Sequence, residues 1–256
     1  GLHVDPNIDT IFNVANPGQS LTYNYVIPDD HAPGLHWYHS HKHGASALQV
    51  MGGLFGAIIV NPKDNSQIPA ELTNWTRILL VLSHFSTSSI NTTDDPFKVR
   101  TYLDLIAMNK DSMNPNVSYE NSSYRDIYLT NGQFQPKYNM KANQNVIFDL
   151  LNAAGDHLIE VEIRTALMSG NKACTMTLLG YDGVYFTAPR TVNFIAMVPA
   201  QRATVVINCP TEGTYYLQSY ADQTRNIVDN EIRFNQNLLT LIVSGTDTTG
   251  GNAMNI

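Results

Sequence analysis

The chain has 256 residues, 43% of them hydrophobic and only 14% charged, which fits globular domains with real cores and argues against a disordered chain. Lys and Arg total 15 against 22 Asp and Glu, a net charge of −7, and no basic patch interrupts this balance. Nucleic acid is therefore not an expected partner, and no apolar run approaches the ~20 residues that a membrane span requires.

In chain order, the sequence reads as all-β. Leu21–Tyr25 alternates apolar and polar side chains, as a half-buried strand does. Further strands are predicted at 56–60, 77–85, 126–130, 146–152, 157–163, 175–179, 203–208, 214–219 and 238–243. Asn131-Gly132 and Asp182-Gly183 are tight-turn signals. Residues 63–75, polar and holding Pro69, read as a linker. The stretch 86–124 is rich in Ser, Thr and Asn, with a short helix predicted at 101–108. Many short strands with Gly, Pro and Asp punctuation point to β-sandwiches or barrels. About 60 residues before the linker are few for a complete sandwich.

Cys174 and Cys209 are the only cysteines, and neither sits in a CxxC pair, which excludes a zinc ribbon or thioredoxin motif. Two buried thiols and one disulfide remain open readings. A disulfide would contribute about 3–4 kcal/mol by loop closure and would favour an oxidising compartment. Glycosylation sequons occur at Asn74, Asn91, Asn116 and Asn121, but asparagine is abundant enough for several to arise by chance.

The chemistry-bearing stretch is Pro33-Gly34-Leu35-His36-Trp37-Tyr38-His39-Ser40-His41-Lys42-His43-Gly44, and five of the eight histidines lie in 30–44. If 37–43 is extended, Trp37, His39, His41 and His43 share a face. Clustered neutral imidazoles are ligands for copper, zinc or iron. Residues two apart are about 6.6–6.8 Å apart along a strand, which suits two adjacent ions or a curved strand better than one ion. A surface run or a tag is the bland alternative, but a tag would sit at a terminus and lack the Trp-Tyr context. His3, His31, His36, His84 and His157 fall outside the alternating run and are expected to be structural or exposed. His43 stays undecided.

Trp37–Gly44 resembles the second His-x-His motif of laccase-type multicopper oxidases. The lead-in Asp29–Leu35, the follow-on Gln49–Val60, and Gly1-Leu2-His3-Val4 fit the same family, as do Leu129–Gln133, Leu178–Gly183 and Pro199-Ala200-Gln201-Arg202. The resemblance implies cupredoxin-like Greek-key β-sandwiches or barrels. It divides the chain into the C-terminal part of a first domain (1–62), a linker (63–75), a second domain (76–246) and a tail toward a third (247–256). It implies an oxidoreductase that takes electrons from phenols, aryl amines or metal ions and reduces dioxygen to water. The cofactor would be copper, at a type 1 centre and a type 2/type 3 cluster. His39 and His41 would each serve one type 3 copper. Asp9 would deliver protons, with Asp5 its nearby rival. Trp37 and Tyr38 read as packing around the site rather than as electron relays. The family's habit favours the periplasm or the exterior.

The chain also departs from that pattern. It lacks a first His-x-His and the third-domain motifs, and neither cysteine has the neighbouring histidines of a type 1 site. The chain, which begins at Gly1 rather than Met, therefore reads as a piece of such an oxidase holding part of the site and inactive alone. Open edges of the first domain would favour pairing with another copy or with a cleaved N-terminal piece. The alternatives are a non-enzymatic copper-binding or scaffold module and, less well supported, a cupin metalloenzyme, whose usual glutamate ligand is missing between His41 and Glu71.

Overall fold

A computed structural model of the chain describes residues 2–64, 67–68, 70–86, 126–155, 157–167, 169–220 and 235–248. The described chain runs through β1 (Gly34–His39), α1 (Ser46–Met51), β2 (Phe55–Val60), α2 (Ala70–Thr73), β3 (Thr76–Ser86), β4 (Asp126–Thr130), β5 (Lys137–Ala142) and β6 (Asn145–Asn152). It continues through β7 (Ile159–Ala166), β8 (Ser169–Lys172), β9 (Thr175–Tyr181), β10 (Val184–Val192), β11 (Ile195–Met197), β12 (Arg202–Asn208), β13 (Gly213–Ser219) and β14 (Gln236–Thr246). The architecture is all-β, as the punctuated short runs predict.

Two sheets form the main body. One has the order β10-β9-β12-β6-β3-β4, the other β11-β7-β13-β14-β5 with β8 added beside β7. Their inner faces meet in a core that includes Phe148, Leu150, Val161, Val205, Leu217 and Leu241. β6 is buried at every position, as a central strand covered on both faces must be. Its one charge, Asp149, is held by the Arg77 guanidinium and by the Thr204 hydroxyl at 2.8 Å. Burial opposes the charge on Arg77, and the bond to Asp149 more than offsets it, so the pKa is raised.

The turns follow local chemistry. Asn131 and Gly132 both take positive φ, as do Asp182 and Gly183 between β9 and β10. Two central residues at φ > 0 give the turn whose twist matches a right-handed strand pair. Cys174 and Cys209 form a disulfide with Cα atoms 4.1 Å apart. The reason is register: β9 and β12 pair Thr175 with Asn208, so the next residue on each strand comes face to face. Of the two open readings of the cysteines, the disulfide is the one observed.

Residues 2–64 contribute one two-stranded antiparallel ladder, β1 with β2. The predicted strand at 21–25 is not formed, because among the described residues no neighbouring strand offers it a ladder partner. Its period-two geometry persists locally, with the Tyr23 and Tyr25 rings stacked at 6.1 Å. Within 63–75, Ile68 and Leu72 are buried against Ile147, Leu179 and Val206. The helix predicted at 101–108 lies outside the described residues.

β1 is docked onto the outer face of the sheet that holds β6 and β3. Leu35 is buried with Leu151 and Ala153, and Trp37, Phe55, Leu79 and Val81 pack around them. The backbone of β1 comes so close to the Asp182-Gly183 turn that a Cβ on Gly34 would sit 2.8 Å from the Gly183 Cα. This contact places the histidine strand on the second unit, and it explains why both positions are glycine.

Candidate metal centre

The site grows from β1 and the loop after it. Trp37 is anchored among Leu35, Leu79 and Val81. Its ring stacks on His39 at 4.3 Å with 20° between the planes. His39 leads to His41 at 5.2 Å between centroids, and His41 to His43 at 5.6 Å. β1 ends at His39, yet the row predicted for an extended segment carries on through the loop. Trp37 is thus a packing platform under the first imidazole.

His39 Nδ1 lies 2.9 Å from the Ser40 carbonyl oxygen. A carbonyl only accepts, so Nδ1 carries the proton and the Nε2 lone pair is left for a ligand role. Ser40 is itself held: its N–H donates to the Leu54 carbonyl at 3.1 Å, and its hydroxyl donates to Gln49 on α1. This orienting of the second nitrogen is what a metal-binding histidine needs, so the donor set fits copper. His41 and His43 are exposed and line a solvent-open cavity of about 410 Å³ with Gly44, Ala45, Ser46, Ala47 and Leu48. Among the described residues no group of three or more His, Cys, Asp or Glu is arranged around one ion.

Asp9, the candidate proton donor, accepts a hydrogen bond from the Tyr25 hydroxyl at 2.7 Å. Burial, then Asp9 itself, pushes the Tyr25 pKa up to about 12. The rival Asp5 is occupied locally, accepting from the backbone N–H and side-chain amide of Asn7, both at 2.9 Å. Neither aspartate is hydrogen-bonded to His39 or His41 among the described residues.

Sequence reasoning set His36 aside with the structural or exposed histidines, and its place is more particular than that. It is 4% exposed, with no hydrogen-bond partner for either ring nitrogen. It points at the contact between the two units, where a Cβ on Gly183 would come within 2.9 Å of its Cε1. Burial, with positive charge at His31 and Arg202, lowers its pKa to about 4. Arg202 closes the same contact. Its Nε donates to the Leu35 carbonyl at 3.2 Å, its Nη2 to the Asp182 carbonyl at 3.2 Å, and its Nη1 faces the Asp182 carboxylate at 3.1 Å. Elsewhere, His84 and His157 are buried side by side with centroids 3.8 Å apart, beside Tyr128.

An all-β sandwich with a docked hairpin that presents aligned imidazoles defines the class by its fold: a cupredoxin-like protein. Residues 3–65 match the multicopper oxidase family. A multicopper oxidase of Staphylococcus aureus is 25% identical over 160 residues, which cover 62% of this chain and 35% of that protein. Laccase 1 of Metarhizium acridum is 41% identical over 49 residues, 19% of this chain and 7% of that one. Among solved structures, the multicopper oxidase of Campylobacter jejuni, described as a metallo-oxidase, superposes with a TM-score of 0.60 at 23% identity, covering 88% of this chain and 41% of that chain. The chain is similar to multicopper oxidases over these stretches and spans about a third of the Staphylococcus protein.

Proposed function

We propose that this chain supplies part of the copper site of an oxidase that takes electrons from a small reducing substrate and passes them to dioxygen. Its reducing substrates would be phenols, aryl amines or low-valent metal ions. The observation that carries the reading is the imidazole row that runs from the end of β1 into the loop after it, with the His39 Nδ1–H bonded to the Ser40 carbonyl and Nε2 left available. His39 would hold one ion of a type 3 pair and His41 the other. Copper bound there would supply the one-electron steps. The chain's own residues orient the ligands: Trp37 fixes the ring plane of His39, and Ser40 fixes its tautomer.

Asp9 is proposed as the proton carrier, held in place by the hydrogen bond that it accepts from Tyr25. A positioned acid is the usual source of protons for such a reduction. The described residues alone offer no three-ligand copper set, and both cysteines are spent in a disulfide, so neither is a copper thiolate. The chain by itself is therefore proposed to be inactive as an oxidase. The disulfide supports an oxidising location, periplasmic or extracellular, and no described helix is long and apolar enough to cross a membrane.

The test is copper per chain by elemental analysis after anaerobic Cu(I) loading, in the parent, His39→Ala and His41→Ala. Loss of copper in both variants supports the reading. Equal loading in all three overturns it, and oxygen consumption by the copper-loaded chain overturns the proposed inactivity. A scaffold role without metal is the competing reading, favoured if the parent binds none.

A further inference from the structure

Of the imidazoles in the row, His43 has no role in the function just proposed. Its ring lies 5.6 Å from that of His41. Two imidazoles on one ion, with metal–nitrogen bonds of about 2.0–2.1 Å and tetrahedral to trigonal angles, hold their centroids roughly 5–6 Å apart. The His39–His41 spacing of 5.2 Å also falls in that range, so spacing alone does not choose between the pairs. Access does. His41 and His43 both line the open cavity of about 410 Å³, whereas His39 does not. His39 is half-buried, pinned between the Trp37 ring and the Ser40 carbonyl. Among the described residues neither the His41 nor the His43 ring makes a hydrogen bond, so each is free to turn a nitrogen into the cavity. One ion shared by all three does not fit the placement of the groups.

We propose that His43 is a second ligand, from this chain, to the copper ion held by His41, so that the two rings form a bis-imidazole site at the mouth of the cavity. This rests on the reading of His41 as a copper ligand and adds to it an order of filling. The two-imidazole position takes copper before the single-imidazole position at His39. With two protein ligands and water completing the shell, the site exchanges its ion readily, as an acceptance point for Cu(I) or Cu(II) must. The lysine between the two histidines, Lys42, adds no ligand, because an ammonium has no lone pair.

The test is an anaerobic Cu(I) titration of the whole chain against a chromophoric chelator, in the parent, His39→Ala, His41→Ala and His43→Ala. X-ray absorption at one equivalent of copper counts imidazoles, and thermal melts check folding. Both His41 and His43 are exposed, so their removal leaves the fold intact. The expected result is two imidazoles on the first ion in the parent and in His39→Ala. His43→Ala and His41→Ala should each weaken that ion by about tenfold or more, since even indirect partners of a ligand cost that much. If His39→Ala and His41→Ala weaken binding while His43→Ala matches the parent, the role of His43 is overturned and the paired site of His39 and His41 stands. If His41→Ala binds as the parent does, the copper reading itself falls, and the role of His43 with it.

Discussion

Arg202 reaches back 167 residues to donate from its Nε to the Leu35 carbonyl at 3.2 Å, tying the second unit's β12 to the strand that presents the histidines. The same guanidinium holds the Asp182 carbonyl and carboxylate. Its side chain is mostly buried whereas that of Asp182 is half exposed, so solvent screens the ion pair and the bonds to carbonyls carry more of the effect. Charged donors to buried carbonyls contribute about 1.5–3 kcal/mol net each at most. Arg202→Gln is expected to destabilise the chain by about 1–3 kcal/mol in urea unfolding. It should also weaken the copper binding proposed for His39 and His41, where a substitution at the remote Arg164 does not. Unchanged copper affinity would show that the latch supports the fold and not the site.

His36 makes that contact acid-sensitive. In the unfolded chain its imidazole takes up a proton near 6.5, whereas in the folded chain it resists until about 4. The unfolded state therefore binds the extra proton between those values, and stability falls as pH drops from about 6.5 toward 4, by up to about 1.4 kcal/mol per pH unit. Above that window the group is neutral in both states and contributes no pH dependence. His36→Leu should flatten the acid limb of a melting-temperature profile. Because it removes two buried nitrogens without partners, it should cost little at pH 7. An acid limb identical to the parent's would show that other groups set it.

The disulfide gives a separate handle on the second unit. It links positions 35 residues apart across neighbouring strands, and loop closure of that size contributes about 3–4 kcal/mol. Cys174→Ala with Cys209→Ala should lower stability by about that amount in guanidinium unfolding. The β9–β12 ladder keeps its register without it, so near-ultraviolet dichroism of the folded state should be retained. Loss of a cooperative transition would mean that the sandwich depends on the bond more than its buried core suggests.

Most of the row of rings was legible in the chain, because period-two spacing at 37, 39, 41 and 43 is a local property that needs no partner. The core strands were legible for a similar reason: 146–152 and 203–208 are near-continuous apolar runs. β10 and β5 were not, since Val184–Val192 is largely exposed, holds Pro189 and has a register shift between Tyr185 and Arg190, and Lys137–Ala142 mixes lysine and asparagine into its alternation. The strand predicted at 21–25 failed in the opposite sense. Its pattern was right, but a strand exists only where another backbone meets it. The contact of Arg202 and His36 across the two units was invisible because it joins residues far apart in sequence, and no spacing rule encodes it. The turn Asp182-Gly183 and the Pro199–Arg202 stretch stood out as family landmarks, and the structure supplies their physical reason: both meet at β1.

The first unit carries the final prediction. Phe12 and Val26 are each 82% exposed, and Ile11, Val14, Leu21 and Ile27 lie in the same stretch with substantial exposure. β1 and β2 pair only with each other among the described residues, so the outer edge of each has no strand beside it there. Exposed apolar side chains beside open strand edges favour association. The chain is therefore expected to self-associate with rising concentration in light scattering coupled to size exclusion. Phe12→Ser with Val26→Ser should shift it toward the monomer without changing the melting of the second unit, whose core does not include them. A monomer at all concentrations in the parent would refute association through this face. A parent dimer untouched by the double substitution would place the contact elsewhere.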